Sequence, residues 1–265
     1  MADDHRAAIY EDLYRRQLVP EQAQNRESAS RILGILFDYI RPKSVLDVGC
    51  VLGTWLRIVQ EMDVPDIQGI EGEWLDPAQI QIDPNRVVIL DLEHGFDVKR
   101  RFDLLLCLEV AEHLSASAAD PLVASLTAHT DFVLFSAAIP FQGGHGHINE
   151  QFLPYWAERF AHHGFQPIDL LRPRIWDDRA IHWWLRQNIL LFGHERAIAA
   201  NPNLWPEFKA ARPLSIVHPD LFGRKMEYAA RIMNEHQMLS NTLGEGGHFE
   251  VRKLPNGGFS VTRME

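Results

Sequence analysis

Cysteine is scarce in this sequence, and long apolar runs are missing. The 265 residues include two cysteines, Cys50 and Cys107, each inside an apolar stretch. Two thiols cannot build a disulfide framework, so we expect both to be buried and reduced. No window of about 20 apolar residues occurs, which predicts no transmembrane helix and no membrane partner. The charged start MADDHRAAIYEDLYRR lacks the apolar segment of a secretory signal, so a cytoplasmic protein is expected.

A clustered excess of basic residues is missing as well. The formal net charge is −10, and the one basic run that stands out is KRR at 99–101. A protein that binds long RNA or DNA needs a basic face to displace counterions, so long nucleic acid is not expected as a partner. Apolar residues make up 46% of the chain, which suits a packed globule of one large domain or a domain with an appendage.

Apolar runs alternate with helical patterns through most of the chain. Two helices, over 3–19 and 21–40, are separated by Pro20 and predict an N-terminal helical cap over 1–40. Seven apolar runs then predict strands, over 44–49, 67–71, 86–92, 102–109, 131–137, 165–171 and 181–193. Helices are predicted between them, over about 53–62, from about 117 and over about 149–163.

This alternation predicts the fold class. Runs that are apolar throughout suit strands buried on both faces of a sheet. Strand–helix alternation then predicts an α/β protein with a Rossmann-like, seven-stranded, mostly parallel, doubly wound sheet. The last two strands have no clear helix between them, which permits an antiparallel hairpin. The main domain is placed at 41–193. Residues 194–265, with a helix over about 220–239, form a C-terminal extension expected to act as a lid, a cap or the arm of a homodimer.

Polar residues and glycines follow the first two strands. In such a sheet, ligands bind outside the carboxyl ends of the strands. The stretch SVLDVGCVLGTWL places Asp47, Gly49 and Gly53 at the first strand end, where glycines let the backbone approach a ligand and the next helix offers its N-terminus. Glu71 closes the second strand and suits the two hydroxyls of a ribose. A glycine-rich turn followed by an acid at this distance also fits a dinucleotide fold.

Four stretches together resemble class I S-adenosylmethionine (SAM)-dependent methyltransferases. They are LDVGC, the acid that closes the second strand, LDL after the third strand and LEVAEHL after the fourth, within roughly residues 28–193. The resemblance implies that SAM binds across these strand ends. Its methionine part would lie on Gly49 close to Asp47, and its ribose would meet Glu71. Asp91 and Leu92 would border its adenine, and Glu109 would lie near the methionine and the transferred methyl.

One position departs from this family. The pattern D-x-G-x-G-x-G has its middle glycine where DVGCVLG has Val51. A side chain there crowds the cofactor or reshapes the loop, so an inactive SAM-binding regulatory domain is kept as an alternative. An NAD-dependent reductase is a further alternative. It is disfavoured because LDVGC places an acid where dinucleotide folds usually keep an apolar residue.

The stretch EVAEHL (109–114) offers candidate metal ligands. A helix that starts near Glu109 would place Glu109, Glu112 and His113 on one face. Two carboxylates and an imidazole suit a divalent cation such as Mg, Mn, Fe, Co or Zn. In many methyltransferases that this stretch resembles, no metal is known, and there the acid serves SAM and the histidine packs.

The loop after the fifth strand, AAIPFQGGHGHINEQF, carries two histidines between glycines. The pairing of E-x-x-E-H with a later loop histidine resembles small-RNA 3′-terminal 2′-O-methyltransferases, and E-V-x-E-H resembles ubiquinone-biosynthesis O-methyltransferases. The resemblance implies a cation held by Glu109, Glu112, His113 and His147, with His145 as the alternate or supporting residue. Without a metal, the catalytic residues are His147, His145 or His113 as a general base, because imidazole titrates near neutrality. A plain surface loop is the third reading.

The predicted function is therefore a SAM-dependent O-methyltransferase. Its acceptor would be a small hydroxylated molecule, such as a sugar, a nucleoside or a diol, and a divalent metal would polarise the acceptor oxygen. Arg172 and Arg174 are candidates for a carboxylate or phosphate on that acceptor. A metal-free N- or carboxyl-methyltransferase acting on a small molecule or a peptide is the alternative enzyme.

Overall fold

The computed structural model describes residues 22–73, 77–209, 212–244, 248–253 and 259–264. The helix predicted over 3–19 lies outside these ranges. The chain divides into two compact units, one ending at His218 and the other beginning at Pro219. The predicted site residues lie in the first unit.

The strands of the first unit follow the predicted order along the chain. They are β1 (Ser44–Val48), β2 (Asp66–Glu71), β3 (Val87–Ile89), β4 (Leu104–Leu108), β5 (Phe132–Ser136), β6 (Phe165–Ile168) and β7 (Leu190–His194). The helices are α1 (Gln22–Phe37), α2 (Thr54–Glu61), α3 (Ala119–Ala128), α4 (Leu153–Ala161), α5 (Arg172–Ile175), α6 (Trp183–Asn188), α7 (Glu195–Ala200) and α8 (Leu204–Lys209).

All seven strands form one sheet in the order β3-β2-β1-β4-β5-β7-β6. The pairs from β3 through β5 are parallel, whereas β7 runs antiparallel to both β5 and β6. Helices pack on both faces, with α1 and α2 in one core cluster and α3 and α4 in the other. The predicted seven-stranded, mostly parallel, Rossmann-like α/β fold is confirmed, including the antiparallel pairing of the last two strands.

The strand predicted over 181–193 is wrong in its first half. Residues Trp183–Asn188 form helix α6, and the strand is confined to Leu190–His194. The polar side chains in this segment explain the difference. Adjacent residues of a strand point to opposite faces, yet the amides of Gln187 and Asn188 both donate to Oε1 of Gln142, at 3.3 and 3.0 Å. A helical turn brings both buried amides to one partner.

Helices α7 and α8 follow β7 and belong to the first unit. Helix α7 packs on β7, and α8 packs on β6. Both lie after residue 193, where the C-terminal extension is predicted to begin. The role of residues 194–265 as a lid, cap or dimer arm stays a prediction.

The described residues of the second unit form one long helix and a pair of antiparallel strands. Helix α9 spans Pro219–Gly244, so the predicted helix over about 220–239 is confirmed and is longer. Strands β8 (His248–Lys253) and β9 (Phe259–Met264) pair antiparallel. Within the described ranges, none of the helices combines the length and apolar character needed to cross a membrane.

Candidate active site

The predicted site residues lie at the carboxyl ends of neighbouring parallel strands. Val48 at the end of β1 pairs with Ile70 of β2 and with Cys107 of β4. The N–H of Glu109, just past β4, donates to the carbonyl of Ser136 at the end of β5 over 3.0 Å. The loops that follow β1, β2, β4 and β5 therefore meet at one edge of the sheet.

The glycine-rich loop after β1 keeps left-handed backbone at Val51. Gly49, Val51 and Gly53 have φ angles of 77°, 49° and 73°. The N–H of Val51 donates to Oε2 of Glu71 over 2.6 Å, while the N–H of Gly72 donates to Oε1 over 2.8 Å. Val51 thus adopts a left-handed backbone conformation that favours glycine. A Cβ atom at Gly49 would collide with Val110, so this glycine lets the loop approach the segment after β4.

Two carboxyl groups are buried beneath this loop. Asp47 is 3% exposed and Glu71 is 4% exposed. Burial, with a smaller contribution from the charge of Glu71, raises the pKa of Asp47 to about 8. Burial likewise raises the pKa of Glu71 to about 7, against the opposing effect of the N–H groups of Gly72 and Val51. Each carboxyl therefore titrates near neutral pH, where a polar ligand can shift its protonation.

The pair predicted to border the adenine lies after β3. Asp91 is exposed, and its carboxylate accepts the N–H of Glu93 over 3.0 Å at the start of a short 3-10 helix. Leu92 is buried in the core. The N–H of Leu90 donates to the carbonyl of Glu71 over 2.9 Å, which ties this segment to the end of β2. The binding roles of Asp91 and Leu92 stay predictions.

The helix predicted to begin near residue 109 does not form there. Glu109 has a left-handed φ of 54°, and only a short 3-10 helix over Ala111–His113 follows. The left-handed turn redirects the chain, so Glu109 does not share a helical face with Glu112 and His113. Its two carboxylate oxygens instead accept amide N–H groups from Asn188 and Gln142, both at 3.3 Å.

Glu112 is fully buried and anchors the histidine-bearing loop. Its backbone carbonyl accepts the N–H groups of Ile148 and Asn149 over 2.9 and 3.1 Å. Its Oε1 accepts the N–H of Ala138 over 3.2 Å. Its Oε2 has no hydrogen-bond partner among the described residues. A buried carboxylate oxygen without a partner is costly, which marks it as a site for a proton or a cation.

The two histidines that the sequence paired do meet. The rings of His113 and His147 lie 5.0 Å apart, nearly perpendicular to each other. Nδ1 of His147 lies 2.9 Å from Oε1 of Glu150, which leaves Nε2 as the nitrogen available for a cation or a proton. Gly144 lies directly against the His147 ring, since a Cβ atom there would overlap it. His145 is exposed.

Three of the four predicted metal ligands form one group. Ligand atoms of Glu112, His113 and His147 all lie within 4.8 Å of one another. Glu109 and His145 are not members of this group. Glu109 adjoins it, because the charge of its carboxyl contributes to the raised pKa of Glu112.

The electrostatics of this group suit a cation. Burial, and then the neighbouring charge of Glu109, raises the pKa of Glu112 well above its usual range. Burial also raises the pKa of Glu109. Burial, with the charges of His147 and His145, lowers the pKa of His113 to about 4, so this imidazole is neutral at pH 7. Neutral imidazole is the ligand form, and a cation would favour the ionised carboxylates.

The two arginines predicted to bind an acceptor are engaged elsewhere. Arg172 is 1% exposed and pairs with both carboxylate oxygens of Asp169, at 2.9 and 2.8 Å. It also donates to the carbonyls of Pro213 and Leu214. Arg174 pairs with Glu207. The expectation that they bind substrate is wrong for Arg172, whose guanidinium is buried and occupied in this network.

Gln142 is a site residue that the motifs did not reveal. It is 8% exposed, lies in the loop after β5 and contacts Glu109. No pattern in FQGGHGH singles it out, because its partners lie far along the chain in α6. Asn188 carried a weak signal, since a polar residue inside an apolar run needs a partner when it is buried.

A comparison with known proteins adds an independent observation. Residues 19–188 match a family model described as a methyltransferase domain. The chain belongs to this family. It is a SAM-dependent methyltransferase, and the matched segment includes every residue of the site described above. No curated protein matches the sequence of this methyltransferase.

Several solved structures are similar to the methyltransferase at low sequence identity. DesVI of Streptomyces venezuelae has 20% identity and a TM-score of 0.42, covering 51% of this chain and 60% of that chain. The methyltransferase domain of bacterial CtHen1-CN has 15% identity and a TM-score of 0.47, covering 64% and 98%. The sugar N-methyltransferase KedS8 from a Streptoalloteichus species has 15% identity and a TM-score of 0.48, covering 63% and 87%. The chain thus spans less than two thirds of DesVI.

Proposed function

We propose that this methyltransferase transfers the methyl group of SAM to a hydroxyl oxygen of a small acceptor, with a divalent cation at Glu112, His113 and His147. The observation that carries the proposal is the convergence of these three side chains, whose ligand atoms lie within 4.8 Å of one another. Sugars, nucleosides and diols are the acceptors we expect, because a vicinal pair of oxygens can engage one cation.

The donor set fits a cation in two further respects. Oε2 of Glu112 is buried and has no hydrogen-bond partner among the described residues, so the fold leaves an acceptor in need of positive charge. His147 is oriented through its Nδ1 by Glu150, which is the arrangement found behind metal-bound imidazoles. When bound, a divalent cation would lower the pKa of an acceptor hydroxyl and so raise its nucleophilicity. Mixed oxygen and nitrogen ligands are compatible with Mg, Mn, Fe, Co or Zn.

The SAM side of the proposal rests on Asp47, Gly49 and Glu71. Each oxygen of Glu71 accepts one backbone N–H, which leaves a lone pair on each for a ribose hydroxyl. Gly53 has a left-handed backbone and directly precedes helix α2. Asp91 and Leu92 follow β3, which lies next to β2 in the sheet. These residues lie along consecutive strand ends, so an extended molecule can contact them in turn.

The transfer requires a proton acceptor besides alignment. The carbon–sulfur bond of the sulfonium breaks as a carbon–oxygen bond forms, and the hydroxyl proton must leave the acceptor. With Nε2 of His147 on the cation, Glu109 is the group at this edge that can receive it. His113, whose pKa is about 4, is a weak proton acceptor at neutral pH and serves better as a ligand.

A second candidate function is the same oxygen methylation without a metal. The observation that favours it is the 2.9 Å contact between Nδ1 of His147 and Glu150. A carboxylate that orients an imidazole in this way also supports a general base. His147 would then take the hydroxyl proton through Nε2.

The experiment that tests the proposal measures metal content and metal dependence together. The purified protein is expected to bind one equivalent of Mn²⁺ in calorimetry, and Glu112→Gln is expected to lose this binding. S-adenosylhomocysteine release is then screened over sugars, nucleosides and catechols with and without EDTA. Turnover that survives EDTA, together with no Mn²⁺ binding, would favour the metal-free candidate. Methylation of amines or carboxylates alone would overturn the assignment to oxygen.

A further inference from the structure

Three buried side-chain amides lie behind Glu109. Gln142 comes from the loop after β5, while Gln187 and Asn188 come from the end of α6, and all three are 8% exposed or less. None of them belongs to the group of candidate metal ligands. Burying an amide costs free energy unless the amide is hydrogen-bonded, so the hydrogen-bond partners of these three side chains indicate their role.

The orientation of these amides is determined by backbone N–H groups, which can only donate. The N–H of His218 donates to Oε1 of Gln187 over 2.7 Å. The amide nitrogen of Gln187 must therefore face the other way, and it donates to Oδ1 of Asn188 over 2.9 Å and to Oε1 of Gln142 over 3.3 Å. The N–H of Ile139 also donates to Oε1 of Gln142, over 3.3 Å.

The chain of amides ends on the two oxygens of Glu109. With their oxygens occupied by donors, Asn188 and Gln142 can present only NH₂ groups to the remaining side. Nδ2 of Asn188 reaches Oε1 of Glu109, and Nε2 of Gln142 reaches Oε2, both over 3.3 Å. A flipped amide at either position would place an oxygen against a carboxylate.

We propose that Gln142 and Asn188 are positioning residues that hold the Glu109 carboxylate beside Glu112, with Gln187 fixing the direction of both amides. The left-handed φ of 54° at Glu109 adds a reason for such support. This backbone conformation is unfavourable for a residue with a side chain, and it persists where surrounding contacts hold the residue in place. The effect on catalysis rests on the proposed function, whereas the effect on the Glu109 side chain does not.

The hold of Gln142 and Asn188 on the Glu109 carboxylate is called the clamp. Asn188→Leu and Gln142→Met test the clamp, because each removes the amide and keeps similar volume. Both are expected to weaken Mn²⁺ binding by about tenfold, because a Glu109 carboxylate that turns away no longer adds its negative charge beside Glu112. Gln166→Met is the matched control, since Gln166 pairs with Glu195 at the opposite end of the strands. The control is expected to leave Mn²⁺ binding unchanged.

A double-mutant cycle separates positioning from general damage. In a Glu109→Gln background, Asn188→Leu is expected to change Mn²⁺ affinity by less than about threefold, because the carboxylate it positions is gone. An equal loss in both backgrounds would overturn the clamp. If Asn188→Leu does not fold, Gln142→Met gives the same comparison.

Crystal structures of the wild type and Gln142→Met give a readout that needs no metal. The Glu109 carboxylate is expected to turn away from Glu112 in the variant. A carboxylate that stays in place would overturn the proposal. A wild type that binds no Mn²⁺ while Glu109 turns in the variant would count against the proposed metal site and in favour of the clamp.

Discussion

Nδ1 of His147 lies 2.9 Å from Oε1 of Glu150, and the same oxygen accepts the N–H of Gly143 over 2.6 Å. One carboxylate thus fixes both the imidazole and the start of the loop that carries it.

Replacing Glu150 with Gln is expected to weaken Mn²⁺ binding by about 10–100-fold, because the carboxylate orients the imidazole and raises its basicity. Calorimetric titration with Mn²⁺ measures the effect. Glu158→Gln is the control, since Glu158 is exposed on α4. Equal affinity in the Glu150 variant and the control would show that the contact does not support a ligand.

Stability in the absence of SAM is expected to fall as the pH rises from about 5 to about 8. The pKa values of Asp47 and Glu71 are raised to about 8 and about 7, above ordinary values of about 4 in an unfolded chain. The folded state therefore binds more protons in this window, and its advantage is lost as the pH passes the folded pKa values.

Asp47→Asn is expected to remove most of this pH dependence. The variant should gain on the order of 2 kcal/mol at pH 8, which corresponds to roughly 4–8 °C in melting temperature. Differential scanning fluorimetry across the pH range measures it, with Asp38→Asn as an exposed control. A variant that melts with the same pH dependence as the wild type would contradict the assignment.

Val51→Gly is expected to stabilise the methyltransferase by about 1 kcal/mol. A left-handed residue with a β-branched side chain costs about 1–2 kcal/mol, which exceeds the entropy that glycine loses on folding. SAM affinity measured by calorimetry should be retained, because the N–H that contacts Glu71 remains. Val51→Ala keeps a Cβ atom and should recover much less stability. A destabilised Val51→Gly variant would show that the valine side chain contributes packing instead of strain.

Arg172→Ala is expected to destabilise the first unit by about 3–5 kcal/mol, because it leaves Asp169 buried without its partner. Chemical denaturation measures the loss. Arg174→Ala is the matched control two residues away. Its guanidinium is more exposed in its pair with Glu207, so a change within about 1 kcal/mol is expected. Similar losses in both variants would contradict the structural role assigned to Arg172.

The sheet could be predicted because its signals are local. The strands β1, β3, β4 and β5 are mainly apolar runs, and helices α2 and α3 bury an apolar face against the sheet. Helix α6 could not be predicted in the same way. Its sequence WWLRQN reads as half of an apolar strand, and only the distant partner Gln142 explains why two adjacent amides must face the same way.

The residues of the candidate site could be predicted from the sequence, but their arrangement could not. The motif EVAEHL indicates which side chains are near the strand ends, and His147 does join Glu112 and His113. The left-handed turn at Glu109 leaves no trace in the residue types, since any residue with a side chain avoids such backbone. The separation of Glu109 from the three-residue group therefore depends on tertiary contacts.

The triple anchoring at Glu112 has a practical consequence for trapping substrates. Two of these hydrogen bonds use the backbone carbonyl, which every substitution keeps, whereas the third holds the N–H of Ala138 through the side chain, so a Glu112 substitution disturbs the start of the loop after β5 together with the chemistry of the site. The side chain of His147, by contrast, pairs with Glu150, which lies three residues away in the same loop. An inactive variant that is used to isolate bound acceptors from a metabolite extract is therefore better made by His147→Gln than by any change at Glu112.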